Sequence, residues 1–226
     1  MKIDAQVKSV KKLKDYFFLV PDYQREYVWK ADDQVEQFLM DIDNEYDEEA
    51  DEQESYFIGS IIIVKNKNKY DVIDGQQRLT TITLTLCAIR DLLKHQNLDA
   101  KQKNYLSIVE ELLYSFEPDT EETELRLELQ YEESKNYLNK LILAEQYTGE
   151  STASIQKMQA AYAAIYQYLE SYLQRSIAVL IKFTRYFINN IDLVIIESED
   201  ISSALKIFET INQRGAGLNA MDLVKN

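Results

Sequence analysis

Several residue types that most enzymes rely on are nearly missing from these 226 residues, which hold one cysteine, one histidine, two prolines and five glycines. A single cysteine, Cys87, excludes a disulfide within the chain and suits a reducing, cytoplasmic setting. With His95 as the one histidine, a His-based metal site or an HNH-type nuclease centre has too few ligands. Cys87 and His95 stand eight positions apart on one predicted helix, about two turns, too far for shared coordination. They read as a buried thiol and a surface imidazole. No apolar run reaches the roughly 18 residues of a membrane span, and Met1-Lys2-Ile3-Asp4 does not open a secretory signal. Hydrophobic content of 46% describes a soluble globular chain. Its chemistry has to come from carboxylates, amides and arginines.

The net charge of −14 argues against nucleic acid as a direct partner, but it is unevenly placed. Residues 41–54 carry nine acidic and no basic side chains, and residues 117–133 carry eight acidic ones beside Arg126. Outside both stretches 22 acidic residues meet 24 basic ones. The acidic runs read first as solvated faces, with DNA mimicry or partner docking second. A local anion site is compatible with the remainder.

Because glycine and proline are so few, their positions carry information. Pro21 opens PDYQREYVW, Gly59 sits in FIGSIIIV, Gly75 in VIDGQQR, and Gly215 and Gly217 in NQRGAGLN. These separated segments are expected to meet around one site. Residues 57–64 and 70–73 predict a β-hairpin across the polar KNKNK turn. Apolar positions 79, 82, 86, 89 and 93 predict a helix to about Lys94, although TTITLTL alone has strand propensity. A third strand is expected at 191–197 and a helix at 201–213. Residues 101–190 read as almost wholly helical, and the stripe Tyr162, Ile165, Tyr166, Leu169, Leu173 reads as core packing. The expected fold is α+β, a small mixed-sheet core from residues 1–95 and 191–226 with a large all-helical insertion at 96–190.

The segment Ile73-Asp74-Gly75-Gln76-Gln77-Arg78 supports two readings. A strand ending at Ile73 brings Asp74 to the sheet edge, Gly75 allows a tight turn, and the next helix offers free N–H groups to an anion. Arg78 adds a planar fork for phosphate oxygens, and Asp74 could act as a base, hold a metal-bound water or accept from a ribose. In the other reading Asp74 is an N-cap, the glutamines are turn residues and Arg78 is a surface charge. No P-loop, G-x-G-x-x-G or G-x-S-x-G element is present. In the last segment, Gly215 fits a helix C′ position and Asn219 an N-cap with Asp222 at N3, which leaves Asn212 and Arg214 without a structural task. Tyr23, Tyr27 and Trp29 alternate as in an extended segment, with Arg25 expected on their face, either stacked on them or aimed at a phosphate.

Taken in order, PDYQREYVW, FIGSIIIV, YDVIDGQQRLTTI and FETINQRGAGLNAMDLVKN resemble the N-terminal domain of GmrSD-type modification-dependent restriction proteins. The helical middle matches only in character. The resemblance implies a ParB/sulfiredoxin-like core whose DGQQR motif binds and hydrolyses a nucleoside triphosphate with Mg2+, and so regulates a nuclease. Carried over, Asp74, Gln77 and Arg78 are the catalytic candidates, with Mg2+ reached by Asp74 through a bound water. Gly75 and Gln76 belong to the nucleotide site, with Arg25, Asn212 and Arg214 lining it. The implied partners are a nuclease domain or a separate nuclease chain, DNA through the full assembly, and a second copy of the chain. The sequence stops at Lys225-Asn226, in a motif that ordinarily continues. The expectation is therefore either a fragment or an effector on another chain. The alternative is a non-catalytic ParB-like module that binds DNA or acts as a scaffold.

Overall fold

A computed structural model of the chain describes residues 3–213, and the fold is α+β. In chain order the elements are β1 (Ile3–Ser9), β2 (Phe18–Val20), α1 (Glu36–Glu45), β3 (Tyr56–Asn66), β4 (Lys69–Asp74) and α2 (Gln76–Lys94). Then come α3 (Ala100–Leu113), β5 (Tyr114–Glu117), β6 (Glu122–Leu125), β7 (Leu127–Leu129), α4 (Tyr137–Ile142) and α5 (Ala153–Arg175). The last are α6 (Ile177–Asn190), β8 (Ile191–Ser198) and α7 (Ile201–Gln213). The predicted hairpin is β3–β4, and it lies at the centre of a six-stranded mixed sheet ordered β1-β8-β3-β4-β2-β7.

Alternation along the central strands divides the core into two parts. Ile61, Ile63, Val72, Leu193 and Ile195 face the main helical layer. Ile62, Val64, Ile73, Val194 and Ile196 face the other side, where Ala204 and Ile207 of α7 cover them. Strands buried on both faces read as unbroken apolar runs, which is why FIGSIIIV and IDLVIIE were legible.

Helix α2 is the hub of the main layer, with 16 of its 19 residues buried, so it is enclosed on every side rather than amphipathic. Burial explains how TTITLTL stays helical. The hydroxyls of Thr81, Thr83 and Thr85 donate to the carbonyls of Gln77, Leu79 and Thr81 at 2.8–3.0 Å, so these three buried hydroxyls are paired within the helix itself. Cys87 is fully buried, with its thiol pushed up to about 12 by desolvation, and His95 lies exposed at the helix end. Among the tyrosine stripe of α5, Ile165 and Leu169 are fully buried, and Tyr162 donates to Asp91 at 2.6 Å.

The middle of the chain departs from the all-helical expectation. Strands β5 and β6 form a hairpin, and β7 joins the main sheet in parallel beside β2. Its signal was the alternation Leu125, Leu127, Leu129 within a highly acidic stretch, too short to stand out. Residues 96–190 are thus built into the sheet as well as against it. The acidic run at 41–54 is also partly fastened down. Arg175 makes two bonds of 2.7 Å to Glu48, and Tyr168 donates to Asp43 at 2.7 Å.

Arg90, only 1% exposed, joins α2 to that middle segment. Its guanidinium donates to Asp91 at 2.8 Å and to the carbonyls of Leu141 (2.8 Å) and Ile142 at the end of α4. Truncation would leave a partly buried carboxylate and helix-terminal carbonyls unpaired. Arg90→Ala is expected to cost about 3–5 kcal/mol in urea unfolding. A loss under about 1 kcal/mol would mean that the cluster is not holding α4 in place.

Candidate functional site

The turn between β4 and α2 is shaped by a bulge. Ile62 pairs with Asp74 and Ile63 with Val72, so Ile73 is the extra residue, and its carbonyl accepts Gln24 Nε2 at 3.1 Å. Gly75 follows at φ +88°, where a Cβ would stand 2.8 Å from the Ser60 carbonyl oxygen. Both conformation and space require glycine. Gly75 itself is the N-cap, without a side-chain cap, which corrects the reading of Asp74 in that role. The first helical bond runs from Leu79 N–H to the Gly75 carbonyl at 2.9 Å, so the N–H groups of Gln76, Gln77 and Arg78 precede the helical ladder.

Both glutamines reach back to the segment after β2. Gln76 Nε2 donates to the Arg25 carbonyl at 2.9 Å, and Gln77 Nε2 donates to the Glu26 carbonyl at 2.9 Å. Gln77 Oε1 accepts Val28 N–H at 2.8 Å, so its amide is committed to main chain at both ends. The Tyr27 hydroxyl pairs with Thr81 Oγ1 at 2.9 Å inside the core. Gln76 Oε1 is buried with no hydrogen-bond partner among the described residues. This stitching replaces a strand ladder, and it overturns the expected shared face. Tyr27 is 1% exposed and Tyr23 is 59% exposed, while Trp29 is half-buried and Arg25 lies at the surface.

Arg78 rests on a second bulge. Phe57 pairs with Asp192 and Ser60 with Val194, so β3 carries one residue more than β8 there. As a result Ile58 and Ile61 both face the main core, which unbroken alternation forbids. Gly59, at φ +122°, lies in this bulge, and a Cβ on it would come within 2.6 Å of Arg78 Cζ. The guanidinium lies against that glycine and donates from Nη1 to the Ser60 carbonyl at 3.0 Å. Its remaining N–H donors border a cleft of about 530 Å3 that Arg25, Asp74, Gln24, Trp29 and Phe208 also line.

Charges here are held against their solvation. Burial pushes the Asp74 carboxyl above the ordinary range, opposed by the Gly75 N–H and by Arg78 and Arg25. Burial likewise lowers Arg78, with Asp74 opposing. Among the described residues no cluster of three His, Cys, Asp or Glu could hold a metal ion. A lone Asp74 carboxylate fits an Mg2+ that arrives on phosphates and keeps most of its waters. The structure therefore brings Asp74, Gly75, Gln76, Gln77, Arg78 and Arg25 together. Gln24, Trp29 and Phe208 join them; all three lie within the quoted segments, and of the three only Trp29 stands out individually in the sequence. The Asn212 side chain and Arg214 lie outside the described residues, as do Gly215, Asn219 and Asp222.

Two outcomes are expected from this geometry. Gly59→Ala should cost roughly 1–3 kcal/mol from its positive φ alone, read by denaturant unfolding, and should displace Arg78 from Ser60. A variant as stable as the parent would show that the bulge is not a fitted seat. For Asp74, a raised folded pKa means the native state binds the proton more tightly than the unfolded chain. The ionised group then penalises folding above that pKa, and the penalty fades as pH falls through it. Asp74→Asn should accordingly be at least as stable as the parent at pH 7. Its advantage should shrink toward zero as pH falls below the ordinary aspartate range.

No described helix is long and apolar enough to cross a membrane. Comparison with curated proteins finds none that matches the chain. The family model for the GmrSD restriction endonuclease N-terminal domain matches residues 7–226. With that coverage, and with the four ordered segments converging on the start of α2 wherever they are described, the chain belongs to the GmrSD restriction endonuclease N-terminal domain family.

Proposed function

We propose that the cleft at the start of α2 binds a nucleoside triphosphate together with Mg2+ and hydrolyses it, and that this step regulates a nuclease in a DNA restriction assembly. One observation carries the reading. Three backbone N–H groups that precede the helical ladder, two arginines and a half-buried carboxylate surround a single cleft. Phosphate oxygens suit the helix start, where the N–H groups and the positive end of the helix dipole point outward. Arg78 keeps donors for a phosphate after its bond to Ser60, and Arg25 supplies a second cation from the rim.

Asp74 takes the proton-handling role. Burial has raised its proton affinity, so it is better matched to accept a proton from an attacking water than an ordinary surface carboxylate. Mg2+, when bound with the phosphates, supplies charge neutralisation and water ligands that one carboxylate can orient. Gln77 acts differently from a group that contacts substrate, because it holds residues 26–28 and so keeps Arg25 at the rim. Control of a nuclease follows from family membership in a restriction endonuclease and rests on that alone.

Mg2+ with a nucleoside triphosphate at about 100 times its Kd is expected to stabilise the fold by ~2.7 kcal/mol, read as a rise in Tm. Arg25→Ala, a change at the surface, should leave the ligand-free Tm in place and lose most of that rise. Asp74→Asn should retain binding and lose phosphate release. If no nucleotide raises the Tm and no phosphate is released, the reading fails. A steep salt-dependent affinity for duplex DNA without a nucleotide response would instead support the DNA-binding or scaffolding alternative.

A further inference from the structure

A second cleft, of about 340 Å3, adjoins the first, and the two share Trp29 and Arg78 as a common wall. Their chemistries are opposed. The first gathers Arg25, Arg78 and the N–H groups of the helix start. The second is lined by Asp33 and Asp41, by Gln34 and Gln37, and by the aromatic pair Trp29 and Phe38, whose ring centroids are 6.2 Å apart. Gln37 Nε2 donates to Asp41 Oδ1 at 2.5 Å, and Gln34 Nε2 donates to Asp33 Oδ2 at 2.5 Å. Each amide steadies a carboxylate whose other oxygen can accept a further bond. Phosphate would be repelled there. A flat, neutral ring with N–H groups along one edge would be accommodated, its face on the indole and its edge toward the carboxylates.

Resting on the nucleotide reading above, we propose that this second cleft is the nucleobase subsite. The base stacks on Trp29, and its hydrogen-bond-donating edge meets Asp41 and Gln37. The sugar passes Arg78, and the phosphates reach the start of α2. The charge distribution sets this orientation, because the reverse placement puts phosphates beside two carboxylates and a base among guanidinium groups. Trp29 is then a ligand-contacting residue, and Asp41 and Gln37 are the specificity-determining ones.

Trp29 is the single tryptophan of the chain, so its emission reports on this wall alone. The experiment compares a nucleoside triphosphate with inorganic tripolyphosphate, both with Mg2+, by Tm and by tryptophan fluorescence. Both probes are expected to raise the Tm, and only the nucleotide should quench Trp29. Trp29→Leu should weaken nucleotide binding about 5- to 150-fold, the range for loss of one stacked base, and tripolyphosphate binding far less, since Trp29 also borders the first cleft. Asp41→Asn, at the partly exposed rim, gives the same test without disturbing Phe38, and should weaken the nucleotide several-fold and tripolyphosphate not at all. Equal affinities for the two probes, with Trp29 emission unmoved by either, would place the base elsewhere and overturn the subsite. Failure of both probes to bind would overturn the nucleotide reading itself, and the subsite with it.

Discussion

A primary amide presents N–H donors and a carbonyl acceptor at nearly the spacing of a peptide group, and Gln77 uses one of each on a segment about fifty residues earlier in the chain. Its bonds to Glu26 and Val28 hold an extended stretch that has no strand neighbour of its own. Gln76 and the Tyr27–Thr81 pair continue the seam. Arg25 and Trp29 flank the pinned residues, so the rim of one cleft and the shared wall of both follow from these few bonds. Each net hydrogen bond is worth about 1 kcal/mol, but leaving a buried amide unpaired costs more, about 1–3 kcal/mol. That asymmetry makes the seam close to all-or-none, and ligand geometry inherits its rigidity from it.

The same region shows where stability has been given up. Asp74 and Arg78 are both shifted against their charged forms, although each is the other's counter-ion. Partial burial outweighs the mutual attraction, as is common when two charges leave water without full compensation. A fold selected only for stability would have placed an amide at position 74. Gln76 Oε1, buried at the same turn without a partner among the described residues, is a second local cost. Such costs concentrate where function requires them.

Much of this was legible in the residues. The β3–β4 hairpin, α2, β8 and α7 have strong periodicity or long apolar runs, and they form where those patterns place them. Gly75 was read for the right reason, since a tight turn with close backbone approach is a local matter. The role of Gly59 is not legible locally, because its neighbour across the bulge is an arginine nineteen positions away. The bonds of Gln77 to residues 26 and 28 are hidden in the sequence for the same reason. A side chain that completes someone else's backbone leaves no trace in its own neighbourhood. Arg25 and Tyr27 were placed on one face by an alternation that applies only to residues in a ladder. Strands β1 and β7 leave little trace in the sequence because IDAQVKS is mostly polar and LEL is only three residues long, so their pairing partners decide their state.

The strand register also has a temporal side. Strand β1 lies at the sheet edge and pairs with β8, Asp4 opposite Glu197 and Val7 opposite Val194. Strand β1 therefore has no strand partner until β8, almost two hundred residues later in the chain, has been made. Helices α2 to α6 can collapse on one another in that interval, since their contacts are shorter in range. Assembly of the central sheet then waits for β8, which must enter between β1 and β3 to close it. The exposed Asp4 and Gln6 of β1 are suited to that long wait.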